Sequence, residues 1–171
     1  MHDGYIFTLG ICGSASASGP AQGCLDLMLA ALAPVKRAAY LGEILVREGE
    51  PSLDDPLLGP VCADIADAEV LLFATPLPGG ALPARLLALA HSLAATPPPA
   101  RRRFAALVVF TDGATTPLWP LRHALEAADI ELLGELYAPA DAALDELAVE
   151  AADLAHAAYA RARVSYPGAL P

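Results

Sequence analysis

Tyr5-Ile6-Phe7-Thr8-Leu9-Gly10-Ile11-Cys12 runs directly into Gly13-Ser14-Ala15-Ser16-Ala17-Ser18-Gly19-Pro20, and apolar residues at helical spacing follow over 21–33. The order is a buried strand, a loop of small residues and a helix start. A loop built of glycines and hydroxyls lets backbone N–H groups approach an anion closely, and the following helix points its positive dipole end at the same place. The pattern suits a phosphate cradle, and it also suits a polar turn with no ligand. It is not a Walker loop, because the chain's single lysine, Lys36, lies well outside it. Nor is it the Gly-x-Gly-x-x-Gly dinucleotide turn, because Gly13, Gly19 and Gly23 are spaced wrongly. A terminal monophosphate is the ligand that such a loop fits.

The same alternation continues along the chain. Strands are expected at 35–41, 69–74, 104–110 and 130–137, and helices at 61–68, 82–94, 118–128 and 141–163. Residues 42–60, with Glu43, Glu48, Glu50, Asp54 and Asp55 and three prolines, read as an irregular surface excursion. Strands apolar on both faces, alternating with helices, imply an α/β domain with a parallel sheet between helix layers. One domain is expected over 1–163, with a frayed C-terminal tail over 164–171. In such a sheet, ligands bind outside the carboxyl ends of the strands near the reversal in strand order. That selects three loops, at 13–22, 75–81 and 111–116.

Composition bounds the rest. Of 171 residues, 56% are hydrophobic and 18% charged, so most elements must pack on at least one side. No apolar stretch reaches the roughly 18 residues that a membrane span needs, so no membrane role is expected. Ten Lys plus Arg against twenty Asp plus Glu give a formal charge of −10, which repels nucleic acid. With no basic leader ahead of an apolar segment, the expected location is cytoplasmic. Cys12, Cys24 and Cys62 form no C-x-x-C pair, and His91 and His123 have no partner at metal-binding spacing, so no metal site is expected. The cysteines read as small buried hydrophobes.

The middle loop, Thr75-Pro76-Leu77-Pro78-Gly79-Gly80-Ala81-Leu82-Pro83, is stiffened by prolines and opened by two glycines, so a flat ligand can lie on its backbone. Together with Gly13-Ser14, the preceding Asp67-Ala68-Glu69-Val70-Leu71-Leu72-Phe73-Ala74, the following Ala84-Arg85-Leu86 and the third loop Thr111-Asp112-Gly113-Ala114, it makes the chain resemble the NAD(P)H-dependent FMN reductases of the flavodoxin-like fold. The resemblance covers nearly the whole chain. It implies a three-layer, doubly wound domain with a five-stranded parallel sheet in the order 2-1-3-4-5. FMN is the implied cofactor, NAD(P)H the co-substrate, and free flavin, a quinone or a similar small molecule the acceptor, in a homodimer. The implied FMN-binding residues are Ser14, Ser16, Ser18, Gly19, Pro20, Ala21 and Gln22 in the first loop. In the second they are Pro76, Leu77, Pro78, Gly79 and Gly80, and in the third Thr111, Asp112, Gly113 and Ala114. No side chain of the protein is implied as a catalytic acid or base, because hydride passes directly between the two cofactors.

The chain departs from the family in three places, one being that Gly19 and Ala21 fall where the family has Ser and Asn, unless a one-residue gap puts Ser18 at the serine position. Ser16 stands where the family usually has Arg, and Pro78 replaces the aromatic that lies on the flavin ring. Losing a guanidinium and a ring face weakens flavin binding. The alternative reading is therefore a flavodoxin-like scaffold with weak or lost FMN binding, serving as a partner protein or electron carrier. Trp119 either restores the missing aromatic cover or packs in the core or an interface. Asp112 either stands near the polar edge of the flavin or caps the next helix. Arg101-Arg102-Arg103, before a strand and so at the pole away from the cofactor loops, reads as a solvated turn.

Overall fold

The computed structural model describes residues 6–14, 18–32, 39–45, 58–113 and 118–168. In chain order the elements are β1 (Ile6–Cys12), α1 (Pro20–Ala31), β2 (Ala39–Leu45), α2 (Leu58–Asp67), β3 (Val70–Pro76), α3 (Ala84–Ala95), β4 (Arg103–Thr111), α4 (Trp119–Ala127), β5 (Ile130–Pro139) and α5 (Leu144–Ser165), with a short 3-10 turn over Pro78–Gly80 before α3. The strands lie side by side in the order β2-β1-β3-β4-β5, and each neighbouring pair is parallel. An α/β fold around a parallel sheet is what the alternation of apolar runs and helical patterns implied.

Successive side chains of a strand point to opposite faces, and this alternation divides the core in two. Ile6 and Cys12 of β1, Val70, Leu72 and Ala74 of β3, and Phe104 to Phe110 at every second position of β4 pack beneath α1 and α5. Phe7, Leu9, Ile11, Leu71, Phe73, Ala105, Leu107 and Val109 pack beneath α2, α3 and α4. α5 lies close to the sheet because its inward face is Ala151, Ala155, Ala158 and Ala162, all buried. Asp145 and Glu146 in its first turn and Arg163 in its last oppose the helix dipole. A Cβ on Gly134 of β5 would come within 2.5 Å of Leu154 Cδ2, so a larger residue there would have to displace that side chain.

Several boundaries differ from the sequence reading for identifiable reasons. β2 occupies Ala39–Leu45, four residues later than expected, because its register is set by β1: Ile6 pairs with Ala39 and Cys12 with Leu45. Ladder pairing there overrides the turn character of Gly42-Glu43. α2 begins at Leu58 and admits Pro60 in its first turn, where a missing N–H costs nothing. α5 starts at Leu144 and extends to Ser165, and beyond it Tyr166 donates its hydroxyl to Arg102 O at 2.6 Å, tying down residues expected to fray.

The arginine turn is also not simply solvated. Arg101 Nη1 bonds Glu69 Oε1 at 3.0 Å, while Glu69 Oε2 accepts the Phe7 N–H at 2.7 Å. Arg103 is only 2% exposed. Its Nη1 donates to Ile65 O at 3.2 Å and its Nη2 to Ala128 O, so one guanidinium closes the carboxyl ends of both α2 and α4. Burial pulls its pKa below the ordinary arginine value, and Asp129 opposes that shift. Arg103→Met strands two carbonyls that each cost about 1–3 kcal/mol when unsatisfied. The expected loss is about 3 kcal/mol, a fall of about 6–12 °C in Tm by thermal denaturation. Arg102→Met, on an exposed side chain, should change stability by less than about 0.5 kcal/mol.

At the sheet's β5 edge, Arg122 grips Glu135 bidentately, with Nε to Oε1 at 2.6 Å and Nη2 to Oε2 at 2.5 Å, and Tyr137 Oη donates to Glu135 Oε2 at 2.9 Å. The Arg122 hydrogen bonds hold the Glu135 carboxyl below its ordinary pKa of 4.5. A lowered carboxyl pKa adds stability above the unfolded value, and that stability disappears as pH falls through the folded value. Arg122 is half-exposed, so the pair is worth about 1 kcal/mol or less. Urea denaturation should show Arg122→Met less stable than wild type at about pH 7, with the difference shrinking as pH falls below 4.5.

Candidate functional site

The reversal in strand order falls between β1 and β3. β1 is followed by α1 on one face of the sheet, and β3 by α3 on the other. The two connections diverge, which in an open parallel sheet leaves a crevice between them at the carboxyl end. Its floor is set by Gly13. The Gly13 N–H donates to Ala74 O at 2.8 Å, which holds the end of β1 against β3. A Cβ on Gly13 would collide with Thr75 Oγ1, lie 2.7 Å from Thr75 Cβ and 3.0 Å from Leu86 Cδ2. Only glycine fits.

Of the first-loop residues, Ser14 is half-buried, Ser18 is exposed, and Ser16 lies outside the described residues. Gly19 is the N-cap of α1 in extended conformation and itself has no side chain to cap with, and Pro20 occupies the first helical turn. The first-turn backbone and its positive dipole end face this loop. Ala21 and Gln22 are 1% and 6% exposed, and Gln22 Nε2 donates to Asp26 Oδ1 at 2.9 Å. Their side chains point into the protein, so they serve this end through their main chain.

In the second loop Pro76 is partly buried and Leu77 is 2% exposed, its side chain in the core and its N–H bonded to Phe110 O at 2.8 Å. That bond fixes the loop to the end of β4. Leu77 thus anchors the loop and does not face the crevice. Pro78 and Gly79 are exposed; Gly79 and Gly80 have φ of +59° and +79°, and the Gly80 N–H closes the turn onto Leu77 O at 3.0 Å. No atom of the described residues lies within 4 Å of where a Gly79 Cβ would stand. The result is a rigid, uncovered ledge of main chain.

In the third loop Thr111 O accepts the Ala140 N–H at 3.1 Å, Asp112 and Gly113 are exposed, and Gly113 has φ +94°. Ala114 lies outside the described residues. The N-cap of α4 is Leu118 with no side-chain cap bond, so Asp112 does not cap that helix. Trp119, at the start of α4, is 62% exposed and is not a core residue. Cys12 and Cys24 are buried and Cys62 partly so, all as free thiols, and burial pushes the Cys24 thiol up to about 11.

The crevice is thus walled by main chain, hydroxyls and glycines, and Asp112 is the one ionisable side chain in the described parts of the three loops. A flat ring can lie against the Gly79 ledge, and an anion can sit at the start of α1. The residues present fit a flavin mononucleotide. A separate cleft of about 500 Å3, lined by Arg102, Arg103, Glu126, Asp129 and Glu131 among others, lies at the opposite pole, where its guanidiniums and carboxylates offset one another. No helix among the described residues is long and apolar enough to cross a membrane.

No protein-family model matches the chain, and no curated protein matches it in sequence. Solved structures do match in fold. A flavone reductase superposes with TM-score 0.76 at 13% identity over 92% of this chain, which spans 63% of that protein. An NADH:FMN oxidoreductase in its apo form gives 0.67 at 17% identity, covering 94% of this chain and 90% of that one. A flavodoxin from Streptococcus pneumonia TIGR4 gives 0.66 at 14% identity, covering 91% and 99%. The fold is flavodoxin-like, as the motif order implied. At Gly13 the close approach can be tested directly: Gly13→Ala should cost about 3 kcal/mol, since the obstructing Thr75 Cβ belongs to a fixed strand. Gly79→Ala, strained only by its positive φ, should cost about 1 kcal/mol. Urea denaturation of the two variants reads the difference.

Proposed function

We propose that the protein is a flavin-dependent oxidoreductase that takes hydride from NAD(P)H through bound FMN to a small acceptor such as free flavin or a quinone. The observation that carries this reading is the crevice at the β1–β3 reversal, with its floor stripped to glycine at Gly13 and its ledge uncovered at Gly79. Ser14, Ser18 and the start of α1 would hold the phosphate, Pro76 to Gly80 would lie along the ring, and Thr111 to Gly113 would meet its polar edge. FMN, when bound, supplies the hydride chemistry, so no acid or base is asked of the protein. The exposed Asp112 places negative charge near the polar edge and disfavours charge building up there. Trp119 and Tyr137, 62% and 49% exposed, give a homodimer an aromatic surface to cover.

A second reading has its own support. Pro78 leaves the exposed ledge without an aromatic, and a chain of this length spans 99% of a flavodoxin. A weakly flavinated electron carrier is that alternative. Titration with FMN followed by its fluorescence, then addition of NADH or NADPH without oxygen, decides among the outcomes. Quenching at micromolar protein and bleaching of the flavin by a nicotinamide are expected. Unchanged FMN fluorescence overturns the flavin reading, and quenching without bleaching replaces the reductase with the carrier.

A further inference from the structure

We propose that the cleft at the amino ends of β4 and β5 is a second binding site, for a free α-amino acid with an apolar side chain, whose carboxylate meets Arg102 and Arg103 and whose ammonium meets Glu126 and Asp129. It is independent of the flavin reading. The cleft holds about 500 Å3, within the range of small-molecule sites. One of its walls is Arg103, only 2% exposed. Buried charges are ordinarily paired with charge, yet both hydrogen bonds of this guanidinium go to neutral carbonyls, Ile65 O and Ala128 O. Its Nε is shut off from solvent and has no hydrogen-bond partner among the described residues. The cleft is therefore walled by a cation whose need for an anion the fold leaves open.

The remaining walls decide which anion. Arg122 is spent on Glu135, and Glu131 lies 3.8 Å from Arg161. That leaves Arg102 and Arg103 on the positive side and Glu126 and Asp129 on the negative side. The two acids stand at the end of α4, where the Asp129 N–H bonds Glu126 O at 3.0 Å and the negative end of the helix dipole adds to their charge. A simple anion would be repelled by those carboxylates and by a net charge of −10, and a simple cation by the guanidiniums. A zwitterion satisfies both. Leu125, Ile130 and Leu132, the first two buried, form the apolar part of the wall against which an aliphatic side chain can lie.

The probe is L-leucine, compared with 4-methylpentanoate, which lacks the ammonium, and leucinamide, which lacks the carboxylate. Amide chemical-shift titration should show L-leucine moving Arg103, Asp129, Ile130 and Leu132 with a Kd of about 1 mM or tighter, while Gly79 and Gly113 stay in place. Each analogue should bind at least about fivefold more weakly. Arg102→Gln and Glu126→Gln, both on exposed side chains and so expected to fold, should each weaken L-leucine by about threefold or more. No shifts at about 20 mM L-leucine overturn the proposal. So does either analogue binding as tightly as L-leucine, or unchanged L-leucine affinity in both variants.

Discussion

The contact of Gly13 with Thr75 and Leu86 is the constraint on which the carboxyl end of the sheet depends. Two parallel strands can run together to their very ends only if the side chain between them is absent. Once they do, the chain must leave β1 toward one face and β3 toward the other, because α1 and α3 already cover opposite layers. The crevice is the gap that this divergence leaves. Its contents follow from the same geometry: main-chain amides, small hydroxyls and an uncovered glycine ledge, since larger side chains would fill it.

The opposite pole does different work. There Glu69 bridges the starts of β1 and β4 through Phe7 and Arg101, and Arg103 closes the ends of α2 and α4. Charge at that end is used in holding elements together, and the cleft beside it is lined by guanidiniums and carboxylates alike. The molecule thus separates its roles by pole. Polar side chains satisfy helix ends where the strands begin, and backbone is left exposed where they finish. A rigid frame at one end keeps the loops at the other in fixed relation, as a binding site requires.

Much of this was readable from residues alone, and the reasons are specific. β1, β3 and β4 are buried on both faces, so they appear as unbroken apolar runs whose identity needs no partner. β2 is an edge strand whose placement comes from pairing with β1, and Gly42-Glu43 hid it. The arginine turn was misread because its partners are remote in sequence: Glu69 is 32 residues from Arg101, and Ile65 is 38 from Arg103. In the site, glycine spacing located the three loops but not the direction of individual side chains. Leu77 and Ala21 turn inward, and Asp112 caps no helix.

The central claim is that a flavin occupies the crevice at the β1–β3 reversal. Amide chemical-shift mapping of isotopically labelled protein titrated with FMN locates the ligand without presupposing activity. The account predicts shifts concentrated at Gly13, Ser14, Gly79, Gly80 and Gly113, with Ile65, Arg103 and Ala128 at the far pole unmoved. Shifts clustered around Arg103 and Asp129, or no shifts at saturating FMN, would contradict it.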